Sequence, residues 1–440
     1  MRPGEQIRYT AFWIRDILGG APIRKNLNDI SFMIEKADAE TAGRMRDQRI
    51  NDLLEHASGH VRFYSRFKAA TRLEDFPVVN KSLIKENFDD FIADNIERDQ
   101  MVSVTTSGST GTPFTTLQDK RKKDRNYADT LFYAGLAGYK PGHRLIYLKI
   151  WVEQKMKSRK LYRLQNFITV DVIKFNDREI GELINQVESD HSTFGILGYA
   201  SALEAICKFL DYRGTSAIKA NIKSVIAISE TLNHYTRDGI RRHFGIPVVS
   251  RYSNLENGII AQQLCDDDSL RYLLNTASYN AEILKLDSDE AAADGELGRI
   301  VVTDLFNFAV PMIRYDTGDI GALERDEFNR ERQFLSVVEG RKLDLLYDTS
   351  GNLISSYLVY KNMWQYTEID QYQLIQETKT RYTFKINIRV PFTKERMLID
   401  EFKSFLGRDA DFRIEYVTEI PLLASGKRKK IVSRLNDSRN

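Results

Sequence analysis

Between residues 144 and 250 the chain alternates short apolar segments with helical ones, and this alternation restricts the fold more than any other feature. Four buried strands are predicted, at Arg144–Leu148, Phe194–Tyr199, Ser224–Ser229 and Pro247–Ser250. Helical patterns follow the second and third of these, over Ala202–Tyr212 and Leu232–Phe244. Because strand–helix–strand order repeats, the sequence predicts a parallel sheet with right-handed crossovers.

The segments on either side complete an α/β architecture. Apolar residues at 3–4 spacing predict a helix within Ala42–Phe67, and Asn80 is a predicted N-cap for the next helix. Beyond Arg271 the pattern changes to β-hairpins. We therefore expect a large N-terminal domain, residues 1–341, of mixed and parallel sheets with flanking helices. A small C-terminal α+β lid domain would follow, over residues 342–440.

Composition excludes several functional classes. The 440 residues include 64 Lys plus Arg against 62 Asp plus Glu, so charge gives no argument for a nucleic-acid partner. Cys207 and Cys265 are the only cysteines, which excludes a disulfide framework and a cysteine-rich zinc site and indicates a cytoplasmic protein. No apolar run approaches the roughly 20 residues that span a bilayer, so no integral membrane segment is expected. We expect a monomer or a homodimer.

The first candidate site is a hydroxyl- and glycine-rich run that ends in a proline. Its residues are Thr105, Thr106, Ser107, Gly108, Ser109, Thr110, Gly111, Thr112 and Pro113. Small residues let backbone N–H groups turn toward an anion while the hydroxyls add donors, so a polyphosphate suits the run. The Walker A pattern G-x-x-x-x-G-K-[ST] is absent. A Ser/Thr/Gly linker is the alternative interpretation.

Three further motifs carry polar side chains that suit nucleotide chemistry. Tyr252 and Glu256 follow a predicted parallel strand and suit a purine base and a divalent cation, although both residue types are often structural at a strand end. Asp319 suits two vicinal hydroxyls, and the alternative is a hairpin turn with a salt bridge from Arg314. Lys427 in a Ser-Gly-Lys step suits a developing phosphoryl charge, and a solvated basic tail is the alternative.

Taken in order, these motifs resemble those of the acyl- and aryl-adenylate-forming superfamily. The resemblance includes the G-R-x-x-D segment at 340–344. More narrowly, segments 49–64 and 76–81 are similar to the opening of the branch that holds phenylacetate–CoA ligase, coenzyme F₃₉₀ synthetase and CapK-type capsule proteins. The resemblance covers roughly residues 45–435.

The resemblance implies ATP and Mg²⁺ as cofactors and assigns a role to each motif. Residues 105–111 would hold the β- and γ-phosphates, Tyr252 would stack on adenine, Glu256 would bind Mg²⁺ and Asp319 would bind the ribose. Lys427 would bridge the substrate carboxylate and the α-phosphate. The remaining implied nucleotide-binding residues are Ser229 and Glu230 at the adenine pocket, Ser253 and Asn254 beside Tyr252, and Arg341 near the hinge. The pocket for the acid would be lined near Tyr133, Tyr199 and Tyr252.

The implied activity is conversion of a small carboxylic acid into its adenylate with release of pyrophosphate, followed by transfer to an acceptor. CoA is the acceptor usual in the family. An amine or hydroxyl on a sugar or other metabolite, or transfer of AMP itself, are alternatives. Ser253, Leu255 and Leu343 depart from the family's usual glycine, threonine and charged residue. Leu255 supports a different alternative, a nucleotide-binding scaffold in polysaccharide assembly without turnover, whereas Glu256, Asp319 and Lys427 together oppose it.

Overall fold

A computed structural model gives the architecture of most of the chain. It describes residues 2–106, 114–151, 162, 165–326, 332–341, 346–354, 356–363, 365, 366, 368–388, 390–421 and 428–435. The α-helices in these ranges are α1 (Pro3–Leu18), α2 (Pro22–Ser31), α3 (Ala39–His60), α4 (Lys81–Glu86), α5 (Lys120–Leu136), α6 (Asp177–Ser189), α7 (Ala200–Tyr212), α8 (His234–Phe244), α9 (Ser356–Met363) and α10 (Glu395–Leu406).

The strands fall into a large group before residue 342 and a smaller group after residue 345. The first group comprises β1 (Val102–Thr105), β2 (Thr115–Gln118), β3 (Arg144–Lys149), β4 (Phe167–Asp171), β5 (Thr193–Tyr199), β6 (Asn221–Ile228), β7 (Val248–Asn254), β8 (Gly258–Gln263), β9 (Tyr272–Leu274), β10 (Tyr279–Leu284), β11 (Gly298–Asp304), β12 (Tyr315–Arg325) and β13 (Gln333–Arg341). The second comprises β14 (Leu346–Tyr347), β15 (Leu353–Ile354), β16 (Ile369–Gln376), β17 (Arg381–Ile388), β18 (Asp411–Tyr416) and β19 (Ile431–Ser433).

One mixed sheet of eleven strands organises the N-terminal part. Its order is β10-β11-β12-β13-β9-β8-β7-β6-β5-β3-β4. At one end of this order the pairs β4–β3, β3–β5, β5–β6 and β6–β7 are parallel. All the other neighbouring pairs, from β7–β8 to β11–β10, are antiparallel. The predicted α/β class and the parallel strands between residues 144 and 250 are therefore confirmed. The parallel half meets the antiparallel half at β7 and β8, where the Tyr252–Glu256 motif lies.

Helices cover both faces of the parallel half, as its continuous apolar strands require. On one face Val225 and Ala227 of β6 belong to a core shared with α6, α7 and α8. On the other face Ile226 of β6 and Val249 of β7 pack with Ala134 of α5. Residues that alternate along each strand therefore enter different cores, because successive side chains of a strand point to opposite faces.

Local capping explains where several helices begin. The Asn80 side chain accepts from Leu83 N at 2.9 Å, which confirms it as the N-cap of α4. Helix α3, in contrast, ends at His60, so the helical pattern predicted as far as Phe67 extends too far. Val61 adopts an extended backbone and forms a bridge with Ala93. The apolar residues after His60 are thus buried by tertiary contacts rather than by further helix.

Two acidic residues of helix α1 bind neighbouring elements of the N-terminal part. Glu5 is 3% exposed and accepts a hydrogen bond from Thr193 N at 2.6 Å, at the start of β5. Asp16 accepts from Ile23 N and Arg24 N, both at 3.0 Å, and so holds the start of α2. None of the helices in the described residues is long and apolar enough to cross a membrane.

The C-terminal part has its own sheet and core. Its four strands lie in the order β18-β17-β16-β19, with β16 and β17 antiparallel and the outer two pairs parallel. Leu374 of β16, Phe384 of β17 and Phe402 of α10 are among the fully buried members of this core. A small α+β domain at the C-terminus is therefore present, while a boundary at residue 341 stays a prediction.

Candidate active site

The predicted phosphate-binding run begins on β1, which pairs with β2 as an antiparallel ladder. Thr105 lies opposite Thr115, and their hydroxyl oxygens are 3.0 Å apart. Thr106 N donates to the carbonyl of Phe114 at 2.8 Å. The two ends of the run are thus held side by side. The predicted phosphate ligands between them, Ser107, Gly108, Ser109, Thr110 and Gly111, lie outside the described residues.

The predicted metal ligand Glu256 lies beside this ladder. Its carbonyl accepts from Gln118 Nε2 of β2 at 2.9 Å. Its carboxylate is 1% exposed. Oε1 forms an ion pair with Lys81 Nζ, 2.7 Å away, and accepts a hydrogen bond from the Tyr315 hydroxyl at 2.8 Å. Within the described residues both of these contacts go to Oε1, so Oε2 remains for another ligand.

Lys81 is a functional candidate that the sequence motifs did not identify as such. It is the first residue of α4, and its ammonium group lies 5.9 Å from the centroid of the Phe114 ring as well as on Glu256. Its side chain is 34% exposed, so the cation is partly open to solvent. In the sequence, Lys81 is marked only by its position directly after the predicted N-cap Asn80. Its proximity to Glu256 is visible only in the fold.

Tyr252 and Asp319, which come from two separate motifs, are in direct contact. The Tyr252 hydroxyl donates to Asp319 Oδ2 at 2.8 Å and lies 3.1 Å from Thr317 Oγ1. Burial, with a further contribution from the Asp319 charge, raises the pKa of Tyr252 well above its ordinary value, so the hydroxyl keeps its proton. Tyr252 therefore orients the Asp319 carboxylate. Stacking on adenine stays a prediction.

The structural alternative for the Asp319 motif is wrong. Arg314 pairs with Glu282, with Nη2 and Oε1 3.0 Å apart, and not with the aspartates of its motif. Asp316 pairs instead with Arg299, at 2.8 Å. The motif does not form a hairpin turn either, because β12 continues through it with a register irregularity near Asp319.

Four other predicted nucleotide ligands lie at the carboxyl ends of β6 and β7. Ser229 has a left-handed backbone, with φ of 72°, directly after β6. The Glu230 carboxylate accepts from Ser201 N at 2.8 Å in the first turn of α7. Asn254 Oδ1 accepts a backbone hydrogen bond in the turn to β8, and Ser253 is exposed. All four are near Tyr252 in the fold, but their binding to a nucleotide stays a prediction.

The last two predicted residues are described only in part or not at all. Arg341 stands opposite Asp319 in the ladder of β12 and β13, which agrees with a position near the ribose, but its side chain is not described. Lys427, the predicted catalytic lysine, lies outside the described residues. After it, Lys430 reaches Glu204 of α7, with Nζ and Oε2 3.6 Å apart.

Glu204 anchors the contact between the two parts of the chain. Besides Lys430 it binds Lys208, whose ammonium group also donates to the Ile369 carbonyl of β16 at 3.1 Å. Burial alone would raise the pKa of Glu204, but the charges of Lys430 and Lys208 and its hydrogen bonds lower it to about 2. A cavity of about 360 Å³ lies along this junction. The C-terminal part is therefore docked on α7 through a charged carboxylate.

A metal site made by the protein alone is not found among the described residues, where no group of three or more His, Cys, Asp or Glu side chains could hold an ion. Mg²⁺ is usually bound by one or two carboxylates together with substrate phosphates. Glu256 as such a ligand stays a prediction.

Comparison of the sequence with known proteins identifies relatives of both parts. The family model described as the CapK C-terminal domain matches residues 346–434. The curated protein CapK of Staphylococcus aureus is 20% identical over 424 residues, which cover 89% of this chain and 89% of CapK. The predicted similarity to CapK-type proteins is thereby confirmed.

Solved structures give the fold. A 2-hydroxyisobutyryl-CoA ligase in its postadenylation state superposes with a TM-score of 0.70, at 14% identity and with 91% of each chain covered. The amide bond synthetase McbA of Marinactinospora thermotolerans has a TM-score of 0.56, at 15% identity, with 76% of this chain and 68% of McbA covered. The chain has the fold of the adenylate-forming ligases, as its motifs predicted.

Proposed function

We propose that this chain, with its adenylate-forming ligase fold, uses ATP and Mg²⁺ to convert a carboxylic acid into its adenylate and then transfers the acyl group to an acceptor. The observation that carries the proposal is the convergence of two polar pairs where the parallel sheet ends. Tyr252 holds Asp319, and Lys81 holds Glu256 beside the base of the β1–β2 ladder. Ligands of α/β sheets bind at such strand ends.

Each pair suits one part of ATP. The Asp319 carboxylate accepts hydrogen bonds, as the two ribose hydroxyls require. Glu256 would hold Mg²⁺ through Oε2, and the ion would neutralise charge on the phosphates. Lys81 is a second cation at the same place, and its partial exposure leaves N–H groups for phosphate oxygens. The hydroxyl- and glycine-rich run after β1 would supply the remaining phosphate contacts.

The chemical step joins two anions and therefore needs charge neutralisation more than acid–base catalysis. A carboxylate oxygen of the acid attacks the α-phosphorus, a new P–O bond forms, and the bond to the bridging oxygen breaks. Pyrophosphate leaves with that electron pair, and no proton or redox equivalent is required. We assign Lys427 to the carboxylate and the α-phosphate, as the resemblance implies.

The relatives support three candidates for the acceptor in the second step. CoA is the default, because several solved structures with this fold are those of CoA ligases. An amine is the alternative that the amide bond synthetase supports, and a sugar hydroxyl or amine is the one that similarity to a capsule protein supports. We place the reaction in the cytoplasm, where ATP is available.

Acid-dependent exchange of labelled pyrophosphate into ATP tests the proposal. A panel of carboxylic acids should include at least one that supports exchange. Lys427→Ala should slow exchange by about 10²–10³-fold, whereas Lys379→Ala, at an exposed lysine of the same domain, should leave it unchanged. ATP binding without exchange for any acid would contradict adenylation and would favour the scaffold alternative, with which exposed Leu255 agrees.

A further inference from the structure

Arg251 is a buried cation that has no ion pair with a carboxylate among the described residues. It precedes Tyr252 on β7 and is only 7% exposed. Its Nε donates to Gln262 Oε1 of β8 at 2.8 Å. Its Nη2 is buried and has no hydrogen-bond partner among the described residues. A buried donor without a partner costs free energy. We therefore expect a ligand to supply an acceptor for this guanidinium.

The other buried cations of the described residues show how this protein usually treats such a charge. Lys122 lies 2.6 Å from Asp304, with both side chains fully buried. Fully buried Arg125 lies 2.5 Å from Asp29. Arg314 is paired with Glu282, as described above. Arg251 has no ion pair with a carboxylate in the described part of the chain, so the missing partner is specific to this site.

A second buried polar group without a partner belongs to the surroundings of Arg251. Tyr133 of α5 is fully buried, and its hydroxyl likewise has no partner in the described ranges. Gln262 joins the two residues, because its Nε2 donates to the Tyr133 carbonyl at 2.7 Å. Burial lowers the pKa of Arg251 to about 10 and raises those of Tyr133 and Tyr147, so at neutral pH the arginine stays charged and the tyrosines stay protonated.

The position of Arg251 connects it to the proposed active site. Val249 lies two residues before it on β7, on the same face, and packs with Ala134 of α5. Arg251 therefore faces the space between the sheet and α5, while its neighbour Tyr252 faces Asp319. In the register of the sheet Arg251 pairs with Ile228, one residue before Ser229. A ligand that enters at this strand end can thus reach both residues of β7.

We propose that the acid activated by this protein carries a second carboxylate, which binds the Arg251 guanidinium and the Tyr133 hydroxyl between β7 and α5. This inference rests on the proposed function and narrows its substrate to dicarboxylic acids. A carboxylate supplies the missing charge, accepts hydrogen bonds only, and matches the planar fork of arginine. The first carboxylate stays at the strand end, where it reacts with ATP.

Matched substrate pairs test the inference. A panel of aliphatic and aromatic dicarboxylates is compared with the monomethyl ester of each acid in the pyrophosphate exchange assay. For the wild-type chain, kcat/KM for the best diacid should exceed that for its monoester by at least about 100-fold, because a site built to bind a charged group rejects the analogue that lacks it. In Arg251→Met this preference should disappear. Arg178→Met, at an exposed arginine of α6, is the matched control and should keep it.

Two further readouts separate a binding role from a structural one. Arg251→Met should have an unchanged or higher Tm, because it removes a buried charge that has no carboxylate partner. A clearly lower Tm together with an unchanged diacid preference would overturn the inference, and so would a wild-type preference for the monoesters. Arg251→Lys keeps the charge but loses the fork, and should retain only part of the preference.

Calorimetric binding of the diacids in the absence of ATP keeps this test independent of adenylation. If diacids bind to the wild-type chain and not to Arg251→Met, the arginine site stands even when no acid supports exchange. In that case only the proposed adenylation fails. If no diacid binds and monoesters do, the inference fails while adenylation survives.

Discussion

The two faces of strand β7 differ in how their charges are satisfied. On the face of Tyr252, the Asp319 carboxylate has a protein hydroxyl, and Glu256 nearby has both Lys81 and Tyr315. On the face of Arg251, the described residues give the guanidinium one neutral amide partner and give its Nη2 none. Arg251 and Tyr252 are consecutive residues of the same strand, so the difference lies in the partners that the protein supplies on each face.

Under the proposed function, the nucleotide binds on the face of Tyr252 and the acid binds on the face of Arg251. A nucleotide site can be preorganised by the protein, because the same nucleotide always binds there. A buried charge without a carboxylate partner is costly, and proteins retain such groups chiefly where function requires them. We therefore expect substitutions on the nucleotide face to impair the reaction in general, and substitutions on the Arg251 face to change which acid reacts.

The largest expected effect is on stability, in a pair of variants that contrasts paired and unpaired buried charges. Lys122→Met leaves Asp304 buried and uncompensated, and should lower the free energy of unfolding by about 3–5 kcal/mol. Arg251→Met leaves no carboxylate behind and should not lower it comparably. Denaturant unfolding measures both, and equal losses would remove the distinction between the two faces.

Next in size is the effect of Lys427→Ala on adenylation. Removing one group that stabilises transition-state charge costs a rate factor of about 10²–10³. Single-turnover formation of the adenylate should fall by that factor, whereas the affinity for ATP should change little. A variant that adenylates normally would show that the lysine belongs to a solvated tail.

A smaller effect is expected for Tyr252→Phe, which removes only the hydroxyl bound to Asp319. The lost hydrogen bond to a charged group is worth about 1.5–3 kcal/mol at most, and water can replace part of it, so ATP affinity should fall about tenfold. Titration calorimetry with ATP measures this. Because Arg251 is untouched, the preference among acids should stay the same, and a changed preference would contradict the separation of the two faces.

The smallest effect concerns the junction with the C-terminal domain. The pKa of Glu204 is lowered from 4.5 to about 2, so its contribution to stability is present above about pH 4.5 and is lost as the pH falls toward 2. Glu204→Gln should mimic the acid state at neutral pH by weakening the contacts with Lys208 and Lys430. Faster hydrogen exchange in β16 measures the weaker docking, and equal exchange rates would show that apolar contacts hold the domain.

Much of the fold could be predicted from the sequence, since strand periodicity and capping are local. Asn80 illustrates this, because its side chain needs only the third residue after it. The helix pattern that continued to Phe67 illustrates the limit. Val61 packs in the core next to Ala93. The spacing of apolar residues in the sequence cannot distinguish a residue buried in this way from one on the apolar face of a helix. The order of the eleven strands also depends on pairings between distant segments.

The candidate site could be predicted in part for the same reason. Tyr252, Glu256 and Asp319 lie in recognisable motifs, and the structure brings Tyr252 onto Asp319. Lys81 and Arg251 were missed, because each becomes informative only through its partner or lack of one. A lysine 175 positions before Glu256 gives no sign of an ion pair, and a single arginine in a strand gives no sign that its charge is unpaired.

The most direct test of adenylation follows the oxygen of the acid. The diacid that gives the fastest exchange is labelled with ¹⁸O in its carboxylates and incubated with ATP and an acceptor until turnover. If the carboxylate attacks the α-phosphorus, the AMP released on acyl transfer carries one ¹⁸O, which mass spectrometry detects. AMP without label, or label in inorganic phosphate, would contradict the account, because ATP would then be cleaved without an acyl-adenylate.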